Sequence, residues 1–241
     1  MLKKEKVLVI IPARAGSKRI PNKNIRDFCG KSLLARTIEQ AKKINFANRI
    51  IVDTDSPKIA ALAKKYGAEV PFLRPAELAQ DKSKVVDSII YLLGRLKKQE
   101  NYQPDFIVLL QTTSPLREIK DIENCWKKMK KGGATTVLTV CETHPRLYYL
   151  DKKDNIILVS GSEKMSTNMQ EWLKGYILNG CFVYIVKTTA LLRERIIITK
   201  KTKAVVCPKW RSIDLDTPEE WAMAEILFKN KKIIESCIKK I

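Results

Sequence analysis

The chain has 241 residues, 45% hydrophobic and 30% charged, enough to bury a sizeable core and too apolar for disorder. No apolar run approaches the roughly 20 residues of a membrane helix, and the run near the start is broken too soon for a signal peptide, so a cytoplasmic protein without a membrane partner is expected. The balance of 46 Lys and Arg against 26 Asp and Glu gives a net charge of +20 and invites a nucleic-acid reading, but the basic residues are scattered over helix surfaces (Lys42, Lys43, Lys97, Lys98) without a binding motif, so a lysine-rich surface with no specific nucleic-acid partner is expected.

The first element, Val7 to Ile11, is five apolar residues, mostly β-branched, and reads as a buried strand of a parallel sheet. Pro12 ends it. Arg14, Ser17, Lys18, Arg19, Lys23 and Asn24 then crowd cationic and hydrogen-bonding groups into one loop, and Gly16 admits close backbone approach. A loop of that composition at a strand's carboxyl end is an anion cradle suited to a polyphosphate; the bland alternative is a solvated basic turn. Neither the P-loop nor the dinucleotide fingerprint is present.

Lys31 to Lys43 has helical spacing, with Gly30 as a turn before it. Arg49 to Ser56 is a strand ending in Asp53 and Asp55, followed by a helix over PKIAALAKKYG that Gly67 stops. Strand, helix and strand in this order make a parallel βαβ unit. Asp53 and Asp55 can cap or hold a turn as readily as touch a ligand. Arg74, held extended by Pro75, is a candidate phosphate or pyrimidine contact, and Val85 to Leu96 reads as a helix.

Phe106 to Leu110 is a second buried strand, with Gln111, Thr112, Thr113 and Ser114 at its carboxyl end offering neutral groups that suit hydroxyls and amides; the competing reading is a polar cap for a helix starting near Asp121. Gly132 to Asp151 begins as a strand and runs into a polar excursion. His144, the one histidine, sits beside Pro145 and reads as structural. Ile177 to Val186 returns as a strand, and RERIIITKKTK reads as a surface helix end and loop. Six widely spaced cysteines without a C-x-x-C pair read as reduced, mostly buried thiols. Finally, Asp214 and Asp216 alternate along an extended segment before a helix start at Thr217 and Pro218, placing two carboxylates on one face. A hard divalent cation sharing its ligands with a triphosphate suits such a pair; capping is the alternative.

Four stretches together resemble the cytidylyltransferases that activate sialic acid and related nine-carbon acidic sugars. These are IPAR with two small residues, S-K and K-N (residues 11 to 24), AELAQD (76 to 81), LLQTTSPLR (109 to 117, with Thr112 for a usual Pro) and IDLDTPEE (213 to 220). The family usually has two glycines where this chain has Ala15 and Gly16. Its arginines before the N-G are replaced by Asn168, Met169 and Ile177.

The resemblance implies an α/β fold of the nucleotide-diphospho-sugar transferase (Rossmann-like) type, a mostly parallel sheet with flanking helices. It implies one domain over residues 1 to 241, with a small dimerisation arm at roughly 142 to 178 in a homodimer. The implied reaction is CTP plus a nine-carbon 2-keto acidic sugar giving the CMP-sugar and pyrophosphate, with Mg²⁺ or Mn²⁺ as cofactor. Arg14, Lys18, Asp214 and Asp216 would be catalytic. Ser17, Lys23, Asn24, Arg74, Ser83, Gln111, Arg146, Gln170, Tyr176 and Asn179 would join Arg14 and Lys18 in binding substrate. Asp216 would be the principal metal ligand, and Asp214 a second ligand or proton acceptor. The alternatives are activation of the eight-carbon sugar Kdo and, in another class, a basic nucleic-acid-binding protein.

Overall fold

The structure is a computed structural model that describes residues 5–159, 173–178 and 183–240. Its centre is β1 (Val7–Pro12). After a short hairpin, β2 (Asp27–Phe28) and β3 (Lys31–Ser32), come α1 (Leu33–Ala41), β4 (Arg49–Asp53), α2 (Pro57–Lys65), α3 (Val85–Glu100), β5 (Phe106–Leu109) and α4 (Ile119–Lys130). β6 (Thr136–Thr143) leads out to a separate hairpin, β7 (Tyr148–Leu150) and β8 (Ile156–Leu158), and the chain returns on β9 (Gly175–Ile177) and β10 (Tyr184–Lys187). α5 (Thr188–Glu194), β11 (Thr202–Cys207), α6 (Pro218–Lys229) and α7 (Lys231–Lys239) complete it.

The main sheet has the order β11-β6-β10-β5-β1-β4, with β9 also on β6. β1 is parallel to both neighbours, Ile10 lying opposite Ile51 on β4 and Leu109 on β5. β10 is antiparallel to β5 and to β6, so it alone of these six runs backwards. Alternation along β1 divides the core: Val7, Val9 and Ile11 pack in one cluster with residues of α1, α2 and α4, while Leu8 and Ile10 pack with α3 in another.

Local chemistry fixes the helix ends. Ser32 and Ser56 cap α1 and α2 by accepting from Ala35 and Ile59 amides, each satisfying an amide that the first turn leaves unpaired. Gly67, at φ +86°, follows α2 where a side chain would be strained. Thr217 and Glu220 close a capping box at the start of α6, with Pro218 in its first turn.

Three departures from the sequence reading have physical causes. The expected strand from Ile177 to Val186 is two separate pairings on β6, on either side of residues 179–182. β11 was not expected, because TKAVVC follows a basic tract; it pairs in parallel with β6 over six residues. α7 was likewise not expected. Among the described cysteines, Cys125, Cys141 and Cys207 are buried thiols and Cys237 is exposed; burial pushes the Cys207 thiol up to about 12.

The excursion leaves β6 and rejoins it almost at the same place, with Thr143 opposite Gly175. A Cβ on Gly175 would lie 2.7 Å from Pro145 Cα, so this crossing requires glycine. Leu147, Tyr148, Tyr149, Leu150 and Ile156 along the hairpin are exposed.

Candidate active site

A cleft of about 480 Å³ opens at the carboxyl ends of β1 and β5, where an open α/β sheet binds its ligands. Arg14, Lys18, Arg19, Lys23 and Arg74 line it, facing three carboxylates, Asp81, Asp214 and Asp216. The surplus of cations makes the cleft an anion site.

The loop after β1 is held from three sides. The Ala13 amide carries the ladder one step further by donating to the Asp53 carbonyl at 2.9 Å, and the Ala15 amide donates to Asp55 Oδ1 at 2.9 Å. Asn24 is buried. Its Nδ2 donates to the Arg14 carbonyl at 2.9 Å and its Oδ1 accepts from Thr112 at 2.6 Å. Asn24 therefore braces the loop against the end of β5. A Cβ on Gly16 would meet nothing within 4 Å, so the space above it is open to a ligand.

The opposite wall is pinned by a small third cluster. Ile20 from the loop, Leu215 from between the two aspartates, and Phe28 and Trp221 pack together. Leu215 donates its amide to the Thr113 carbonyl at 3.1 Å and accepts from Lys23 Nζ at 2.5 Å through its own carbonyl. The Glu220 carboxylate that completes the α6 cap also accepts from the Asp216 amide at 2.7 Å. Burial of one leucine thus sets the position of both aspartates relative to the cationic loop.

The two aspartates are not equivalent, although both face the cleft. Asp216 is half exposed and pairs with Lys23 at 3.1 Å and Arg19 at 3.5 Å. The Asp214 Oδ1 atom is out of solvent and has no hydrogen-bond partner among the described residues. Burial raises the Asp214 carboxyl above the ordinary range, because a charge there is poorly solvated. An unpartnered buried carboxylate oxygen beside a second carboxylate fits a hard cation. No group of three or more metal-ligating side chains forms among the described residues, so such an ion would complete its shell with phosphate and water, as Mg²⁺ commonly does.

Across the cleft, Asp81 pairs with Lys18 and, at 3.0 Å, with Arg14. Lys18, then Arg14, holds its carboxyl below the usual carboxylate range. Asp81 thus presents its carboxylate to both cations of the cradle. Arg74 is buried against Asp53 at 2.7 Å, with Nε unpaired among the described residues. Gln111 is placed through its backbone, the carbonyl accepting from Arg117 at 2.8 Å. A second hollow of about 400 Å³ shares Gln111 and Val85 with the cleft and is walled by Tyr184, Ile196 and Ile198.

The family model for cytidylyltransferases matches residues 8–199. The chain belongs to the cytidylyltransferase family. It is 34% identical over 227 residues to the CMP-N,N'-diacetyllegionaminic acid synthase of Legionella pneumophila, covering 93% of this chain and 97% of that protein. It is 32% identical to the pseudaminic acid cytidylyltransferase of Campylobacter jejuni serotype O:23/36, with the same coverage. A solved CMP:2-keto-3-deoxy-manno-octonic acid synthetase complexed with CTP shares the fold at a TM-score of 0.67 and 15% identity, covering 94% of this chain and all of that one.

In this cytidylyltransferase the cleft gathers Arg14, Ser17, Lys18, Lys23, Asn24, Arg74, Gln111, Asp214 and Asp216 from the residues expected at the site. Ser83 is not among its lining: its hydroxyl donates to the Glu77 carbonyl at 2.8 Å and braces the turn before α3. Arg146 and Tyr176 lie at the base of the excursion, away from the cleft lining. Gln170 and Asn179 lie outside the described residues. His144 is exposed in a turn, its Nδ1 accepting from the Arg146 amide at 3.2 Å. RERIIITKKTK is the end of α5 and a surface loop running into β11, as expected, and its exposed Ile196 and Ile198 line the second hollow. Asp81 was missed as a site residue although it ends the AELAQD stretch; a lone acid in a turn has no periodicity to betray it. The helix near Asp121 is capped by Glu118, not by the polar end of β5.

Proposed function

We propose that this enzyme transfers CMP from CTP to the anomeric hydroxyl of a nine-carbon 2-keto acidic sugar and releases pyrophosphate. One observation carries the reading: Arg14 and Lys18 share one cleft with Asp214 and Asp216, Lys23 standing beside Asp216 at 3.1 Å, an arrangement that suits a metal-bound triphosphate. The names of relatives aligned over nearly the whole chain, at 34% and 32% identity, support the choice of acceptor.

The sugar oxygen attacks the α-phosphorus in line, forming the new P–O bond as the bond to pyrophosphate breaks. Arg14 and Lys18 exchange Asp81 for the β and γ phosphates, while Lys23 stays on the Leu215 carbonyl and steadies the leaving group. Asp214 and Asp216 would hold Mg²⁺ or Mn²⁺, which supplies charge neutralisation at the scissile phosphate when bound. Asp214, with its raised carboxyl, is also the group on this wall suited to accept the hydroxyl proton. The hollow beyond Gln111 offers the sugar a place next to the α-phosphate.

The exposed apolar hairpin from β7 to β8 supports a homodimer, because two strands alone are marginal in water and these need a covering surface. The arm's Arg146 and Tyr176 would then reach the partner's cleft. A cytoplasmic location fits the buried reduced thiols.

The test is pyrophosphate release with CTP, ATP or GTP against legionaminic, pseudaminic and sialic acids and Kdo. CTP with a nine-carbon acid should turn over. Equal rates with all nucleotides, or a preference for Kdo, would overturn the assignment, and light scattering that showed a fully active monomer would remove the shared site.

A further inference from the structure

α6 ends and α7 begins at Asn230, whose backbone at φ −101° and ψ 13° interrupts the helix. The Asn230 amide donates to the Ile226 carbonyl, and the Asn230 carbonyl accepts from the Ile234 amide, both at 3.0 Å. Along α7, Ile233, Ile234, Cys237 and Ile238 fall within an arc of roughly 140°. Trp221, Ala224 and Phe228 dock the preceding helix, α6, onto the third cluster. Ile233 and Ile238 are each more than half exposed, and α7 contains no buried residue. Lys231 and Lys240 flank the stripe at the same count of residues per turn. Between residues 229 and 240 five lysines stand against one acid, Glu235, and Lys231 already pairs with Glu118 and Glu235.

We propose that the apolar stripe of α7 docks on a bilayer that contains anionic lipid. An apolar stripe bordered by lysines is the pattern of a helix lying in a membrane interface, where the lysine stems cover apolar surface and the ammonium groups reach the headgroups. Charge selects this occupant over a second copy of the chain, because pairing α7 against α7 would set lysines against lysines. The net charge of +20 draws the whole protein toward an anionic surface. The sequence reading expected no membrane partner because nothing spans a bilayer. Indeed, among the described residues no helix is long and apolar enough to cross one. Lying on a surface needs only the stripe and its basic border.

The test is flotation of the full chain with vesicles of equal phosphatidylglycerol and phosphatidylcholine, and with phosphatidylcholine alone, at physiological salt. About tenfold more protein should float with the anionic vesicles. The double variant Ile233→Asp/Ile238→Asp should lose about tenfold of that binding and keep wild-type turnover and thermal stability, since neither side chain is buried. A second variant, Lys240→Glu, at the edge of the stripe, should weaken binding while leaving the apolar stripe intact. Absence of flotation would overturn the proposal, as would equal flotation by wild type and the isoleucine variant, which would mean net charge alone binds. A lipid-free dimer that the same isoleucine variant dissolves would assign the face to a second copy instead.

Discussion

Replacing Asp53 by Asn tests whether the carboxyl end of β4 is a structural brace for the cleft. The Arg74 and Asp53 side chains are 5% and 6% exposed and 2.7 Å apart, and Arg74 also donates to the Asp53 carbonyl at 3.0 Å. Asn preserves the shape and removes the charge, leaving a buried guanidinium opposite a neutral amide. Breaking a buried pair from one side costs about 3–5 kcal/mol, a large part of the total stability of a domain. At roughly 2–4 °C per kcal/mol for a chain of this size, the melting temperature should fall by about 6–20 °C. Circular dichroism with and without pyrophosphate is the assay. Because Arg74 lines the cleft, an anion bound there replaces part of the lost charge, so pyrophosphate should raise the variant's Tm more than the wild type's. A variant melting within about 2 °C of wild type would show that Arg74 is solvated through the cleft and that the pair contributes little.

Asp216→Asn should lower turnover by about 10²-fold or more, the scale of one lost electrostatic stabiliser, without unfolding the protein; near wild-type rates at limiting Mg²⁺ would remove Asp216 from the metal site. Asp214→Asn should raise the Tm of the ligand-free protein at pH 7. The folded-state carboxyl is raised by burial, so its ionisation above that pKa opposes folding, and the advantage of Asn should close as pH falls toward the ordinary carboxylate range; a lower Tm at pH 7 would contradict this. Asp81→Asn should lower KM for CTP by about two- to fivefold, the range of an exposed ion pair that ligand must displace, with kcat little changed. A raised KM would instead make Asp81 a ligand contact.

Much of this arrangement was legible because the cradle, the polar end of β5 and the paired aspartates each lie next to an apolar run that fixes their place in the sheet. Val7 to Ile11 and Phe106 to Leu110 can only be buried strands, so the polar loops at their carboxyl ends must gather at one edge. Direction was not legible. Tyr184 to Val186 reads as a buried strand whichever way it points, and its antiparallel course between β5 and β6 depends on where the chain re-enters. Contacts made by single residues were hidden too: nothing local distinguishes Asp81, which enters the cradle, from Ser83, which turns back to Glu77. The burial of Leu215 between the two acids, which is what orients them, has no neighbouring apolar run to announce it.

The crossing at Gly175 has a consequence for how such chains diversify. Because Thr143 and Gly175 are paired neighbours on β6 and β9, the two ends of the excursion meet at one doorway in the sheet. Whatever is inserted there enters and leaves without changing the register of any strand that builds the cleft. The stretch is therefore a replaceable cassette: exchanging residues 144–174 for the corresponding stretch of a relative, with Gly175 kept, should alter assembly and acceptor choice while leaving the nucleotide cradle unchanged, so that recombination at this doorway can redirect an old phosphate chemistry toward a new sugar.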